Sequence, residues 1–203
     1  MPLDPSSFLV PARRGPLRDD ATGYLISRGH PGTADHVCAV ADEAARLARR
    51  FGADVEGALA AGLLHDISAP IPNGHRVAAA EAWGIAVLPE ERQLPMIVHQ
   101  RLSAVIARRA FGISDPTVLS AIGCHTTLKP GASTLDKIVF VADKIAWDQP
   151  GQPPWLDVLR PALDRSIDAA ALAYLEWLWE RRATLVVIHP WFRGAYLWLK
   201  DEP

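Results

Sequence analysis

The chain has 203 residues, 49% of them hydrophobic and 22% charged, with a net charge of −2. That length and balance describe an ordinary globular domain with a sizeable core, and exclude a disordered or low-complexity chain. A protein that binds nucleic acid through its phosphates would carry more positive charge, so nucleic acid is disfavoured as a partner.

Residues 1–18 hold four prolines and no periodicity, and read as an irregular arm. The opening stretch MPLDPSSFLVPARRGPLRDD places prolines and charges where a secretory signal needs an apolar run. Apolar runs elsewhere fall short of a membrane span, so no membrane partner is expected. Cys38 and Cys124 make no disulfide framework and are expected as reduced, buried thiols of a cytoplasmic protein.

Residues 19–203 are expected to fold as one all-α domain. Thr33 suits an N-cap, and Val37, Val40, Ala41, Ala44, Leu47, Ala48 and Phe51 then recur on one helical face. His36 lies four residues before Val40 and points inward with it. Asp54 suits the next cap, and ALAAGLLHD behind it is apolar nearly all round, as a central buried helix would be. Residues 74–83 are weakly helical. Pro95 suits a first turn leading to Ile97, Val98, Leu102, Val105 and Ile106. Asp115-Pro116 is a start signal for a helix that runs to His125. Ser133 and Asp136 resemble a capping box, followed by Leu135, Ile138, Val139, Ala142, Ile145 and Ala146, with Asp143 at the edge of that face. DQPGQPP, residues 148–154, breaks the pattern. One long amphipathic helix through Leu163, Ile167, Ala170, Ala171, Tyr174 and Leu178 is expected next, and then a Trp-rich tail. That tail is expected to close the core from the C-terminal side; stacking on a nucleobase and a homodimer contact are the alternatives.

Six groups share one oddity. His36, His65, Asp66, His99, His125 and Asp143 each sit on, or at the end of, an apolar helical face. A single histidine so placed is more often a satisfied core residue than a ligand. Asp143 within IVFVADKIAW is harder to place, because an ionised carboxylate in apolar surroundings is costly unless paired, and no arginine is close in sequence. A divalent metal would supply the missing charge for the whole set. Adjacent helical residues point about 100° apart, so His65 and Asp66 share a site only at a helix end, where Asp66 could bridge two ions. Imidazole and carboxylate ligands suit iron, manganese, zinc or nickel better than calcium. His30, His75 and His189 fit no part of this pattern and read as surface or capping residues.

At these residues the chain resembles the HD-domain metal-dependent phosphohydrolases. LLHDI corresponds to the HD pair, and His36, His65-Asp66 and Asp143 in FVADKI match the basic metal set in order. His99 in VHQ and His125 in CHTT match the two extra histidines of dinuclear members. AGLLHDI, FGISDPTVLSAIGCHTT and LDKIVFVADKI are similar to the YqeK-type branch, which cleaves diadenosine tetraphosphate symmetrically to two ADP and carries iron. The resemblance implies an HD-domain helical bundle with a metal-binding core over 33–148 and a helical extension over 155–203. It implies a nucleotide substrate, two iron ions, and Asp66 and His65 in the catalytic centre.

The chain departs from that branch at four places. Ala69 stands where a lysine follows the HD pair, Gln100 and Leu128 where glycines are usual, and AWDQPG where an acidic-proline-arginine stretch follows. Two phosphate-facing cations are therefore missing. Lys129 and Lys144 are the expected replacements, with Lys137, Arg76 and Arg101 behind them. A nucleoside monophosphate or other phosphoester phosphatase, and a non-catalytic nucleotide-sensing HD module, are the alternative readings.

Overall fold

The computed structural model describes residues 4–201, and every regular element among them is helical. The helices are α1 (Leu17–Ile26), α2 (Pro31–Phe51), α3 (Val55–Leu64), α4 (Asn73–Ala82), α5 (Pro89–Gln93), α6 (His99–Arg109), α7 (Pro116–Cys124), α8 (Thr134–Ile145), α9 (Leu156–Arg165), α10 (Ile167–Glu180) and α11 (Pro190–Asp201). Short 3-10 turns cover Pro5–Leu9, Pro95–Val98 and Arg182–Thr184. No described helix is long and apolar enough to cross a membrane.

Three helix starts follow their sequence signals. Asp54 accepts from the Glu56 N–H at 3.1 Å and Asp115 from the Thr117 N–H at 2.7 Å. At α8 the box is reciprocal: the Asp136 N–H donates to Ser133 Oγ at 3.1 Å, and the Ser133 N–H to Asp136 Oδ2 at 2.8 Å. Each bond satisfies an N–H that the helix cannot pair internally. Asp136 also accepts from the Ser120 hydroxyl at 2.6 Å, which ties α8 to α7.

Other boundaries differ from expectation. Helix α2 opens at Pro31 and not behind a Thr33 cap, because proline at the first helical position has its φ preset and no N–H to satisfy. Pro95 opens a 3-10 turn, and α6 begins only at His99. The single long helix expected after the proline-rich break is two, α9 and α10. Ser166 is extended between them (φ −165°, ψ 167°), and its hydroxyl oxygen accepts from the Ala169 N–H at 3.0 Å. Helix α1 had no clear periodic signal. It starts within the stretch read as an arm and buries Ala21, Tyr24 and Leu25. The segment before it is anchored as well: Phe8 is buried and its carbonyl accepts from the Tyr24 hydroxyl at 3.1 Å.

Helix α3 sits at the centre, with α2, α7 and α8 packed against it and Ala58, Ala61 and Leu64 fully buried. Its closest neighbour is α2. A Cβ on Gly62 would lie 2.5 Å from the Ala41 Cα, so glycine is what permits this approach. Helix α10 packs behind α8 and brings the aromatic C-terminal segment onto it. There Trp155 is buried and Trp179 stacks on Tyr196 with ring centroids 4.9 Å apart.

Candidate metal centre

Five helices deliver the six polar groups to one place. His36 comes from α2, His65 caps the C-terminus of α3 with Asp66 next to it, His99 opens α6, His125 caps the C-terminus of α7, and Asp143 lies near the end of α8. His36 Nε2 is 3.2 Å from Asp143 Oδ1 and 3.3 Å from His65 Nε2. His99 Nε2 is 2.9 Å from His125 Nε2. Asp66 stands between the two groups. Its Oδ2 is 3.7 Å from His65 Nε2, while its Oδ1 is 3.2 Å from His99 Nε2 and 3.5 Å from His125 Nε2. Two donor sets result, His36/His65/Asp66 and Asp66/His99/His125, each with its ligand atoms within 4.8 Å of one another.

The protonation pattern fits a cation. His65, His99 and His125 place Nδ1 at 2.8, 2.6 and 2.8 Å from the carbonyls of Gly62, Met96 and Ile122. A carbonyl only accepts, so each Nδ1 carries hydrogen, and in the neutral ring Nε2 is a lone pair. Two such lone pairs face each other at 2.9 Å in the His99–His125 pair, beside a carboxylate oxygen. Acceptors crowded this way are stabilised by a proton or a metal ion. His65 and His125 also lie at helix C-termini, where the backbone dipole favours positive charge.

Charges within the cluster reflect the same crowding. Burial alone would raise the Asp66 carboxyl, but His65, His99 and His125 outweigh it and hold it well below the usual range. Asp143 is likewise held low against burial by Lys144, His36 and His65. Burial opposes charge on His65, yet Asp66 and Asp143 prevail and lift its pKa to about 9. His125, buried among other imidazoles, is pushed down to about 4. Asp66 is 27% exposed, which marks the open side of the centre. A cavity of about 240 Å³ adjoins it, lined by His36, Asp66, Asp143, Lys144, Trp147 and Tyr174 among others.

The expected cations lie differently. Lys129 does not reach this cavity. Its ammonium donates to Ser120 Oγ at 2.6 Å, lies 3.7 Å from Asp136 Oδ2, and lines a separate groove with Arg101 and Trp191. The chain turns at Leu128, which is buried at φ 55°, and leaves Lys129 facing that groove. Lys144 does line the cavity, but its ammonium is engaged by Asp143 Oδ2 at 2.6 Å and the His125 carbonyl at 3.3 Å. It therefore holds the Asp143 carboxylate in place. Lys137 is paired with Asp168, and Arg101 with the buried Glu91. Arg76 is different. Its guanidinium is lowered by burial and partly restored by Asp66, and it donates to the Met96 carbonyl at 3.1 Å. That carbonyl also receives His99 Nδ1, so Arg76 both neighbours the centre and steadies one of its imidazoles.

Among the remaining histidines, His75 is exposed and His189 caps α11, its Nδ1 accepting from the Trp191 N–H at 3.2 Å. The surface alternative fails for His189, which is 2% exposed with Nε2 3.6 Å from Glu91 Oε1. Gln100 is a positioning residue that pattern reading missed. It is fully buried, its Oε1 accepts from the Thr126 N–H at 3.1 Å, and its Nε2 donates to Thr127 Oγ1 at 3.0 Å. It thus locks the start of α6 to the loop after His125, joining the two histidines of one donor set. Its signal was a lone amide directly after His99, one of the six clustered groups.

The sequence matches the family described as "HD domain" over residues 33–148, a span that contains all six groups. A protein of Lactococcus lactis subsp. cremoris, named "Uncharacterized protein in pepC 5'region", is 48% identical over 145 residues, 71% of this chain and 73% of that protein. The symmetrical bis(5'-nucleosyl)-tetraphosphatase of Bacillus subtilis (strain 168) is 30% identical over 140 residues, 68% of this chain and 72% of the relative. Among solved structures, a predicted HD superfamily hydrolase involved in NAD metabolism from Clostridium acetobutylicum superposes with a TM-score of 0.82 at 28% identity, over 90% of this chain and 96% of its own. HD domains bind divalent metal, and the histidine–aspartate cluster supplies suitable donors here. With the family match spanning more than half of the chain and a solved hydrolase sharing its fold, the chain belongs to the HD-domain family and is a phosphohydrolase.

Proposed function

We propose that the protein is a dinuclear metal-dependent hydrolase of a nucleotide, cleaving diadenosine tetraphosphate symmetrically to two ADP. The observation that carries this reading is Asp66, whose two oxygens face two different imidazole sets. His36, His65, Asp66 and Asp143 would hold one ion, and Asp66, His99 and His125 the other; iron is proposed, and manganese, nickel and zinc suit the same donors. Bound divalent ions supply the Lewis acidity that makes water a nucleophile near neutral pH and offsets charge on the phosphoryl group. The residues do the positioning. Lys144 fixes Asp143, Gln100 and Arg76 fix the His99 side, and Arg76 provides positive charge beside Asp66. Water adds across the central P–O–P bond, and each half leaves with its own nucleoside. The tetraphosphatase among the relatives supports the substrate, which would serve as the protein's small-molecule partner. Cys38 and Cys124 are free, which suits the reducing cytoplasm proposed as its location.

A smaller substrate is favoured by one observation. The cavity of about 240 Å³ encloses only part of a dinucleotide, and Lys129 faces away from it. A nucleoside monophosphate held mainly by the metals is the second reading. Metal analysis with turnover assays on a nucleotide panel tests both. Two ions per chain and ADP as the sole product are expected from wild type. Asp66→Ala should lose metal and turnover while its helices persist, and full activity in that variant would remove the bridging role.

A further inference from the structure

The cavity beside Asp66 and Asp143 has an aromatic wall that neither the ligand set nor phosphate binding accounts for. Trp147, Trp155 and Tyr174 line it. Trp155 meets Trp147 edge-on, with centroids 5.0 Å apart at 87°, and meets Tyr174 at 5.1 Å and 84°. The two tryptophans are held differently. Trp155 is 8% exposed, and its indole N–H donates to the Lys144 carbonyl at 3.0 Å. It is pinned to the residue that fixes Asp143. Trp147 is only partly buried as a residue, although its indole nitrogen is enclosed, without a hydrogen-bond partner among the described residues.

Placement adds a second argument. Trp147 lies just past the Ala146 cap of α8, the helix that carries Asp143, so ring and carboxylate are placed by the same element. The segment AWDQPG brings no cation to the cavity, and Asp148 is the charged residue it contributes. The groove lined by Arg101, Lys129 and Trp191 is a poorer candidate, because Glu91 and Asp136 already pair both of its cations. Building on the reading of the metal centre as a nucleotide phosphohydrolase, we infer that Trp147 is a specificity-determining residue. Its ring, which lines the cavity with Asp66 and Asp143, stacks on the nucleobase of a nucleotide whose phosphates lie at the metal centre. Trp155 backs the ring.

Binding of ADP and of inorganic pyrophosphate to the metal-loaded protein, by calorimetry, separates the base from the diphosphate. A stacked base is lost at a cost of about tenfold or more in affinity, so Trp147→Ala should weaken ADP by that factor while pyrophosphate stays within about twofold. Metal content should be unchanged, and Trp147→Phe should keep most of the preference for ADP because a ring remains. Unchanged ADP affinity in Trp147→Ala, or equal weakening of both ligands, overturns the assignment. Wild-type protein that binds neither ligand overturns the reading of the metal centre, and the assignment with it.

Discussion

Leu128 holds a left-handed backbone conformation, φ 55°, and is fully buried. Such a conformation costs a branched residue about 1–2 kcal/mol, while burying a leucine side chain contributes about 1.5–3 kcal/mol. Packing therefore offsets the strain where a glycine would avoid it. Leu128→Gly should relieve the backbone but open a cavity, and core leucine truncations cost about 3–5 kcal/mol. The net expectation is a loss of roughly 1–4 kcal/mol, or about 2–16 °C in Tm by calorimetry. A rise in Tm would show that strain dominates. The six converging groups were legible in the sequence because each is a polar side chain interrupting an apolar helical face, a contradiction visible locally. The cations were not. A lysine stem is long enough to choose among distant partners, and Lys129 takes Ser120 while Lys144 takes Asp143. The burial of His189 depends on Glu91, which is remote in sequence.

Between helices, the contact that matters most for the centre is the crossing of α2 and α3. Gly62 meets Ala41 there, and the same glycine's carbonyl orients His65. A methyl group at Gly62 would fall 2.5 Å from backbone, which cannot move aside as a flexible side chain can. Gly62→Ala should therefore push α2 away and carry His36 with it. Overpacking of this kind costs about 1–3 kcal/mol, or roughly 2–12 °C in Tm. Metal content should fall as well, because His36 and His65 lie on the two separated helices. Unaltered metal content in a variant of lowered Tm would show that the crossing relaxes without disturbing the centre. Helix starts marked by a side-chain cap, at Asp54, Asp115 and Ser133, were readable because the signal lies within three residues. The division of α9 from α10 was not, although Ser166 is itself a side-chain cap, because the apolar period runs through it unbroken and masks that signal. Helix α1 escaped notice because its buried residues are few and Gly23 weakens its helical preference.

Because the centre draws on α2, α3, α6, α7 and α8 together, its charge state bears on the stability of the entire fold. In the metal-free protein the shifted groups act in opposite directions. His125 is depressed from 6.5 to about 4, so the folded state resists a proton that the unfolded chain accepts, and stability falls as pH drops below 6.5. His65 is raised from 6.5 to about 9, so its contribution is fully present below 6.5 and is lost as pH climbs through 9. The lowered Asp66 and Asp143 contribute above 3.8 and lose that contribution only in stronger acid. Chelator-treated protein should accordingly be most stable near pH 6.5, with a lower Tm at about pH 5 and about pH 9. Metal changes the two limbs unequally. An ion held by His65, Asp66 and Asp143 would take the place of the His65 proton, so the alkaline loss should disappear. In acid, protons compete with the ion for every imidazole, so the advantage of the loaded protein should shrink toward pH 5. Thermal unfolding of chelator-treated and metal-loaded protein across this range measures both limbs. A metal-free Tm that does not vary between about pH 5 and pH 9 would show that the buried histidines do not couple to folding.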